Sequence, residues 1–136
     1  MKTGVWLDKA KAHIVNLYDG KESFTTILSN VEDFKIHGGS GTKFKGGPQD
    51  VVQDSKYLER EKHQLKKYFD NIVSEIKKAR VIVIFGPAEA CYKLDKRLKN
   101  HYPDLSKKVK GVYKTDSMTK PQVKAWAKSF FKEKRL

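Results

Sequence analysis

The stretch "ARVIVIFGPAEA", residues 79–90, carries the strongest signal for the fold. Its centre is a run of five consecutive apolar residues, 81–85. Such a run is typical of a strand that is buried on both faces, as in a parallel sheet. Gly86 then turns the chain, and the fixed φ of Pro87 suits the first turn of a helix. We therefore predict a central strand followed by a helix that ends at about Lys99.

Upstream of this strand, three short β-rich segments predict a hairpin and a third strand. The segments "GVWLD" and "AHIVNLY" are separated by a short polar turn, and Asp19-Gly20 is a turn signal before "SFTTILSNV". Apolar residues at helical spacing then predict an amphipathic helix from Ser55 to about residue 79, capped by Asp54 or Ser55. The residues between the third strand and this helix have no such spacing.

Downstream, "KKVKGVYKT" predicts a shorter strand, and the C-terminal segment predicts a last helix capped by Thr119, with Pro121 in its first turn. The buried face of that helix is expected to be Val123, Trp126, Ala127 and Phe130. The whole order is β-β-β-α-β-α-β-α, which is ribonuclease H-like. It predicts one α/β domain over residues 1–136, with a mixed five-stranded sheet flanked by helices.

The charge of the chain favours an anionic partner. The 136 residues carry 29 basic and 16 acidic side chains, a net charge of +13, and residues 81–136 alone hold 14 basic and five acidic ones. Nucleic acid is a common partner for such a protein, and the alternative is a well-solvated basic protein without a specific partner. Lysine supplies nearly all of the positive charge, and as a point charge it suits phosphate contacts better than base reading.

Lysines recur every four residues along the last predicted helix and form a stripe on one side. The stripe has two interpretations, a solvated face opposite the buried one, or a track for nucleic-acid phosphates that other basic residues extend. The residues predicted to contact nucleic acid are Lys62, Lys66, Lys93, Lys96, Arg97, Lys107, Lys108, Lys110, Lys120, Lys124, Lys128 and Lys132.

The sequence gives little support for a disulfide-linked, membrane, secreted or metal-binding protein. The single cysteine, Cys91, excludes an internal disulfide and suits a reducing compartment. No apolar run is long enough to span a bilayer, and Asp8 interrupts the N-terminal segment where a signal peptide needs apolar residues. The histidines and Cys91 lack metal-ligand spacing. We therefore expect a cytoplasmic protein with no membrane partner, no metal and no cofactor, and its oligomeric state is left open.

The segment "HGGSGTKFKGGPQD", residues 37–50, is the candidate functional loop, within a connection that we predict to be flexible from about 32 to 54. It does not have the order of a Walker phosphate loop, in which a lysine directly follows the last glycine, and Phe44 stands where a dinucleotide fingerprint needs its third glycine. Asp8 could begin the carboxylate set of a ribonuclease H-like nuclease. The central strand, however, ends in Gly86 without a carboxylate, and two-metal chemistry needs such a cluster.

The order of elements, the Gly-Gly loop before a basic helix, and the apolar strand that runs through Gly86 into "AEA" resemble one known family. This is the middle domain of the eukaryotic and archaeal class-one peptide-chain release factors, shared with the stalled-ribosome factor Pelota. The chain looks like a small stand-alone bacterial relative of that domain. The resemblance implies association with the ribosome, ribosomal RNA or tRNA.

In the release factors the loop ends in Gly-Gly-Gln, which positions water against the peptidyl-tRNA ester. Two stretches of this chain correspond to it in part. They are Gly38-Gly39-Ser40 and Gly46-Gly47-Pro48-Gln49. Gln49 is the candidate catalytic residue, but Pro48 separates it from the glycine pair and removes a backbone N–H there.

Three functional hypotheses follow. The first is a non-catalytic, translation-associated module that binds ribosomal RNA or tRNA through its basic residues. The second is a hydrolase of peptidyl-tRNA or another ester that acts through the Gly-Gly loop and Gln49. The third is a protein-interaction domain whose charge serves solubility.

Overall fold

The computed structural model describes residues 1–30, 47–87 and 89–134, which form a mixed five-stranded sheet flanked by helices. The strands are β1 (Lys2–Leu7), β2 (Lys11–Tyr18), β3 (Lys21–Leu28), β4 (Val81–Gly86) and β5 (Val109–Lys114). The helices are α1 (Gly47–Ile76), α2 (Ala90–His101), α3 (Pro103–Ser106) and α4 (Lys120–Lys134). The predicted α/β class and the single mixed sheet are confirmed.

The sheet has the strand order β3-β2-β1-β4-β5. The two hairpins pair antiparallel, and β4 pairs parallel with both β1 and β5. All six residues of β4 are buried, as expected for a central strand covered on both faces. The apolar run 81–85 therefore lies where the sequence predicts it.

Because side chains alternate along a strand, the sheet has two faces, and each face has its own core. Val5, Ile14 and Ile84 belong to the face packed against α1 and α2, where they meet Phe69, Ile72 and Ile76 of α1 and Leu94 and Leu98 of α2. Trp6, Val83 and Phe85 belong to the opposite face, where Val123, Ala127, Phe130 and Phe131 of α4 cover them. Consequently α1 and α2 lie on one side of the sheet and α4 on the other.

Gly86 marks the end of β4 and is required there for two reasons. Its φ of +152° lies in a region that residues with a Cβ rarely adopt. A Cβ at this position would also collide with the backbone carbonyl of Leu7 on the neighbouring strand. The sequence interpretation of Gly86 as a turn residue is correct, although helix α2 begins only at Ala90 and not at Pro87. It ends at His101, two residues beyond the predicted end at Lys99.

Helix α1 starts earlier than its apolar spacing predicts. The prediction begins it at Ser55, whereas the helix begins at Gly47 and ends at Ile76. Pro48 is the second residue of the helix, a position where its missing N–H has no helical partner to lose. Residues 47–54 thus belong to α1 and not to the predicted loop. The loop residues 31–46 lie outside the described part of the chain.

The C-terminal elements agree closely with the sequence. Thr119 caps α4 as predicted, and Gln122 completes a reciprocal pair. The Thr119 N–H donates to Gln122 Oε1 at 2.8 Å, and the Gln122 N–H donates to Thr119 Oγ1 at 3.4 Å. This is a capping box. Helix α3, a single turn after Pro103, was not predicted, since its sequence indicates only where α2 ends.

No helix in the described ranges combines the length and the apolar character that a membrane span requires.

Candidate nucleic-acid interface

Five of the basic residues that the sequence nominates converge on one groove. It lies between α1 and α2, encloses about 250 Å³ and has Leu65 and Phe69 in its lining. We call it the α1–α2 groove. Its polar lining residues are Lys62 and Lys66 from α1 and Lys93, Lys96, Arg97, Asn100 and His101 from α2. No acidic side chain of the described part lines this groove.

Four of these basic side chains are available to an external anion. Lys62, Lys66, Lys93 and Lys96 are exposed, and none of them forms an ion pair with another described residue. Exposed lysines at this density repel one another, and bound phosphates would relieve that repulsion. The arrangement therefore favours an anionic ligand that is longer than a single phosphate.

Arg97 differs from the four lysines because its charge already has a partner. Its Nε donates to Asp70 Oδ1 at 3.0 Å, and its Nη2 donates to Asp70 Oδ2 at 3.3 Å. The Tyr102 hydroxyl donates to the same carboxylate at 2.9 Å, and this hydrogen bond raises the pKa of Tyr102. Asp70 lies on α1, so these bonds fix α2 against α1 and hold the groove in shape.

The α1–α2 groove continues at both ends into neighbouring hollows. Lys93 also lines a hollow of about 410 Å³ that includes Lys9 and Lys114. His101 also lines a hollow of about 390 Å³ with Lys77 and Lys108. Shared lining residues join these hollows into one strip, which we call the basic strip. Among the described residues that line it, the acidic ones are Glu89 near one end and Asp104 near the other.

The lysine stripe of α4 lies on the opposite face of the sheet and so forms a separate surface. Lys128 Nζ is 3.0 Å from Glu22 Oε1 on β3. Lys124 is half-buried, and its Nζ lies 5.2 Å from the centre of the Phe24 ring, a cation–π distance. Lys120 and Lys132 are exposed. Two of the four stripe lysines are thus engaged with β3.

Lys128 and Lys132 also line a groove of about 600 Å³ beside the β2–β3 turn. Lys2, Lys21 and Arg80 add positive charge there. Unlike the α1–α2 groove, this one contains two carboxylates, which belong to Asp19 and Glu22. It is larger but less uniformly basic, so it is a weaker candidate for contact with a polyanion.

The three remaining basic candidates flank α3 and β5. Lys107 and Lys110 are exposed, and Lys108 is half-buried in the hollow beside His101. The Lys108 carbonyl accepts a hydrogen bond from the Ile82 N–H at 2.9 Å, which ties this turn to β4. Lys108 therefore belongs to the basic strip, whereas Lys107 and Lys110 line none of the hollows that form it.

Of the Gly-rich candidates, two lie in α1 and three lie outside the described residues. Gly47 and Gln49 are the first and third residues of α1. Gly38, Gly39 and Gly46 lie outside the described residues. A glutamine within a helical first turn differs from a glutamine at a loop tip, which is where the release-factor resemblance would place Gln49.

The carboxylate and thiol candidates have structural partners. Asp8 Oδ1 accepts the N–H groups of Ala10 and Lys11 at 2.7 and 2.8 Å, so it closes the β1–β2 turn. Cys91 is buried, which raises the pKa of its thiol. Among the described residues, no group of three or more His, Cys, Asp or Glu side chains is arranged to hold a metal ion.

Sequence reasoning missed Lys9, Lys77 and Lys114 of the basic strip and Tyr92 in an adjoining hollow. Lys9 lies in the β1–β2 turn, Lys114 ends β5, and Tyr92 is an exposed aromatic residue near the start of α2. Lys9 and Lys114 are far apart in the chain and meet only because of the sheet order. Tyr92 could have been found, because it directly precedes Lys93 in a basic segment.

Comparison with known proteins finds distant structural similarity without sequence similarity. No family model matches the chain, and no curated protein matches it. The structure is similar to the crystal structure of archaeal translation termination factor aRF1, with a TM-score of 0.48 and 10% sequence identity. The match covers 98% of this chain and 39% of that protein, so this chain spans well under half of its length.

Proposed function

We propose that this protein is an RNA-binding module that contacts the phosphate backbone through the α1–α2 groove. The observation that carries the proposal is the convergence of Lys62, Lys66, Lys93 and Lys96, from two helices, on a groove without a carboxylate in the described part. Lysine-rich surfaces bind nucleic acid largely through phosphate contacts that release counterions. Most of the affinity should therefore be electrostatic and independent of sequence.

The translational setting of the proposal comes from the resemblance of the chain to the middle domain of the release factors. We place the protein in the cytoplasm, with ribosomal RNA or tRNA as its RNA. The binding role needs no catalytic group, because the lysines act as point charges. Pro48 between the glycine pair and Gln49 supports a role without ester hydrolysis.

The proposal is tested by measuring how RNA affinity depends on salt. Fluorescence anisotropy of a labelled single-stranded RNA of about 12 nucleotides gives the affinity across a range of salt concentrations. In Lys66→Glu/Lys93→Glu, two phosphate contacts should be lost. The slope of log affinity against log salt should then become shallower by about 1.4, since each contact to a single strand contributes about 0.7.

The matched control is Lys120→Glu/Lys132→Glu on α4. It makes the same change in net charge, also at exposed helical lysines, and it should leave the slope close to that of the wild type. If the wild-type protein fails to bind RNA, or if the control variant loses as much affinity as the groove variant, the α1–α2 groove is not the interface.

A further inference from the structure

Tyr92 is a half-exposed aromatic side chain in a hollow that adjoins the basic strip. It is the third residue of α2 and is 47% exposed, whereas Cys91 and Leu94 on the same helix are buried in the core. Its ring forms no ring–ring contact with another described residue. A single exposed tyrosine is ordinary, so its surroundings decide whether it has a role.

The surroundings of Tyr92 are those of a nucleobase site. Tyr92 lines a hollow of about 350 Å³ together with Lys93, Lys96, Lys114 and Glu89. Lys93 and Lys96 also line the α1–α2 groove. A phosphate backbone in that groove would therefore pass directly beside the ring. Aromatic rings next to lysine-lined channels are the usual platforms for unpaired bases.

Glu89 gives the hollow beside Tyr92 a negative charge that the α1–α2 groove lacks among its described residues. A carboxylate in the hollow repels phosphate, whereas none of the described residues of the α1–α2 groove is acidic. The backbone would thus stay in the groove and the uncharged base would turn toward Tyr92. We infer that the basic strip takes single-stranded RNA, with one unpaired base stacked on the Tyr92 ring. This inference rests on the proposed RNA-binding function and names the form of RNA.

Duplex RNA cannot use this platform, because its bases are paired and stacked inside the helix. The experiment therefore compares a labelled RNA strand of about 12 nucleotides, a duplex of the same length, and a strand of the same length whose sugars carry no bases. Tyr92→Ala should weaken binding of the single strand about tenfold, as expected for the loss of one stacked base. It should leave binding of the duplex and of the abasic strand unchanged.

Two variants control for indirect effects. Tyr92→Phe keeps the ring and should bind the single strand like the wild type. Tyr18→Ala removes a similarly exposed ring, 41% accessible, beside the β2–β3 turn. This variant should also bind like the wild type. Circular dichroism confirms that each variant is folded.

The outcomes separate this inference from the proposed function. If the wild type binds with the predicted salt dependence but Tyr92→Ala has no effect, or weakens duplex and single strand equally, the stacking inference is wrong and the phosphate-binding function stands. If the wild type binds neither RNA, both are overturned. Equal affinity of the wild type for the abasic and the natural strand would also refute base stacking.

Discussion

At the residue scale, His13 is the buried titratable group with the clearest consequence for stability. It lies on β2, and its ring stacks on Trp6 at 5.1 Å and packs against Phe24 at 5.3 Å between ring centres. Its Nδ1 is 2.9 Å from the Thr26 hydroxyl oxygen. Burial lowers the pKa of His13, Lys11 and Lys120 lower it further, and only Asp8 acts in the opposite direction. The folded protein therefore disfavours a proton on this imidazole.

This lowered pKa predicts how stability depends on pH. The unfolded chain takes up a proton on His13 near its ordinary pKa of about 6.5, and the folded chain does so only at lower pH. The free energy of unfolding should therefore be highest above that value and should fall as the pH drops below it. Urea unfolding at neutral and mildly acidic pH measures this loss.

The variant His13→Gln should make the acid-induced loss of stability smaller, because the group that takes up the proton is gone. His101→Gln, which removes an exposed histidine of α2, is the matched control and should retain the wild-type dependence on pH. An unchanged pH dependence in His13→Gln would show that another group is responsible.

At the element scale, a carboxylate of α1 joins α1 to α2 by hydrogen bonds, in addition to the core that the two helices share. Asp70 of α1 accepts two hydrogen bonds from Arg97 of α2 and one from Tyr102 just beyond it. Hydrogen bonds to charged groups are stronger than neutral ones, although partial exposure of the pair reduces their effect. The two helices form the walls of the α1–α2 groove. The Asp70 contacts therefore affect both the stability of the fold and the shape of the candidate interface.

Asp70→Ala should lower the free energy of unfolding by about 1–2 kcal/mol, since it leaves the Arg97 guanidinium and the Tyr102 hydroxyl without their shared acceptor. Asp95→Ala is the control. It removes an ion pair with Lys99 within α2, 3.1 Å long, and should cost no more than about 0.5 kcal/mol. Equal effects of the two variants would mean that the contact between helices adds nothing beyond an ordinary surface pair.

The elements also show what the sequence can and cannot predict. The five strands follow from apolar runs, alternation and turn residues, and the Thr119 cap follows from its side chain. The start of α1 at Gly47 was missed because residues 47–54 lack the apolar spacing on which the prediction rested. The start of α2 at Ala90 was also missed. Pro87 suits the first turn of a helix, but the chain bends at this residue and the helix begins only later.

At the scale of the whole molecule, the sheet divides the positive charge between two surfaces. The spacing of lysines along α4 is plain in the sequence, but spacing shows which side of a helix is polar and not which face of the sheet the helix covers. The α1–α2 groove depends on the packing of α1 against β2 and β3 and of α2 against β1, β4 and β5. Its five basic residues could therefore be nominated from sequence but not grouped. The sequence interpretation that joins them to the α4 stripe as one track does not fit this division.

The most direct test of the central claim is to map which lysines RNA protects in the unaltered protein. Lysines are acetylated with an amine-reactive reagent, with and without the single-stranded RNA, and the modified residues are quantified by mass spectrometry. The α1–α2 groove predicts protection of Lys62, Lys66, Lys93 and Lys96, with Lys120 and Lys132 of α4 modified to the same extent in both samples. Protection of the α4 lysines with the groove lysines unchanged would contradict the account.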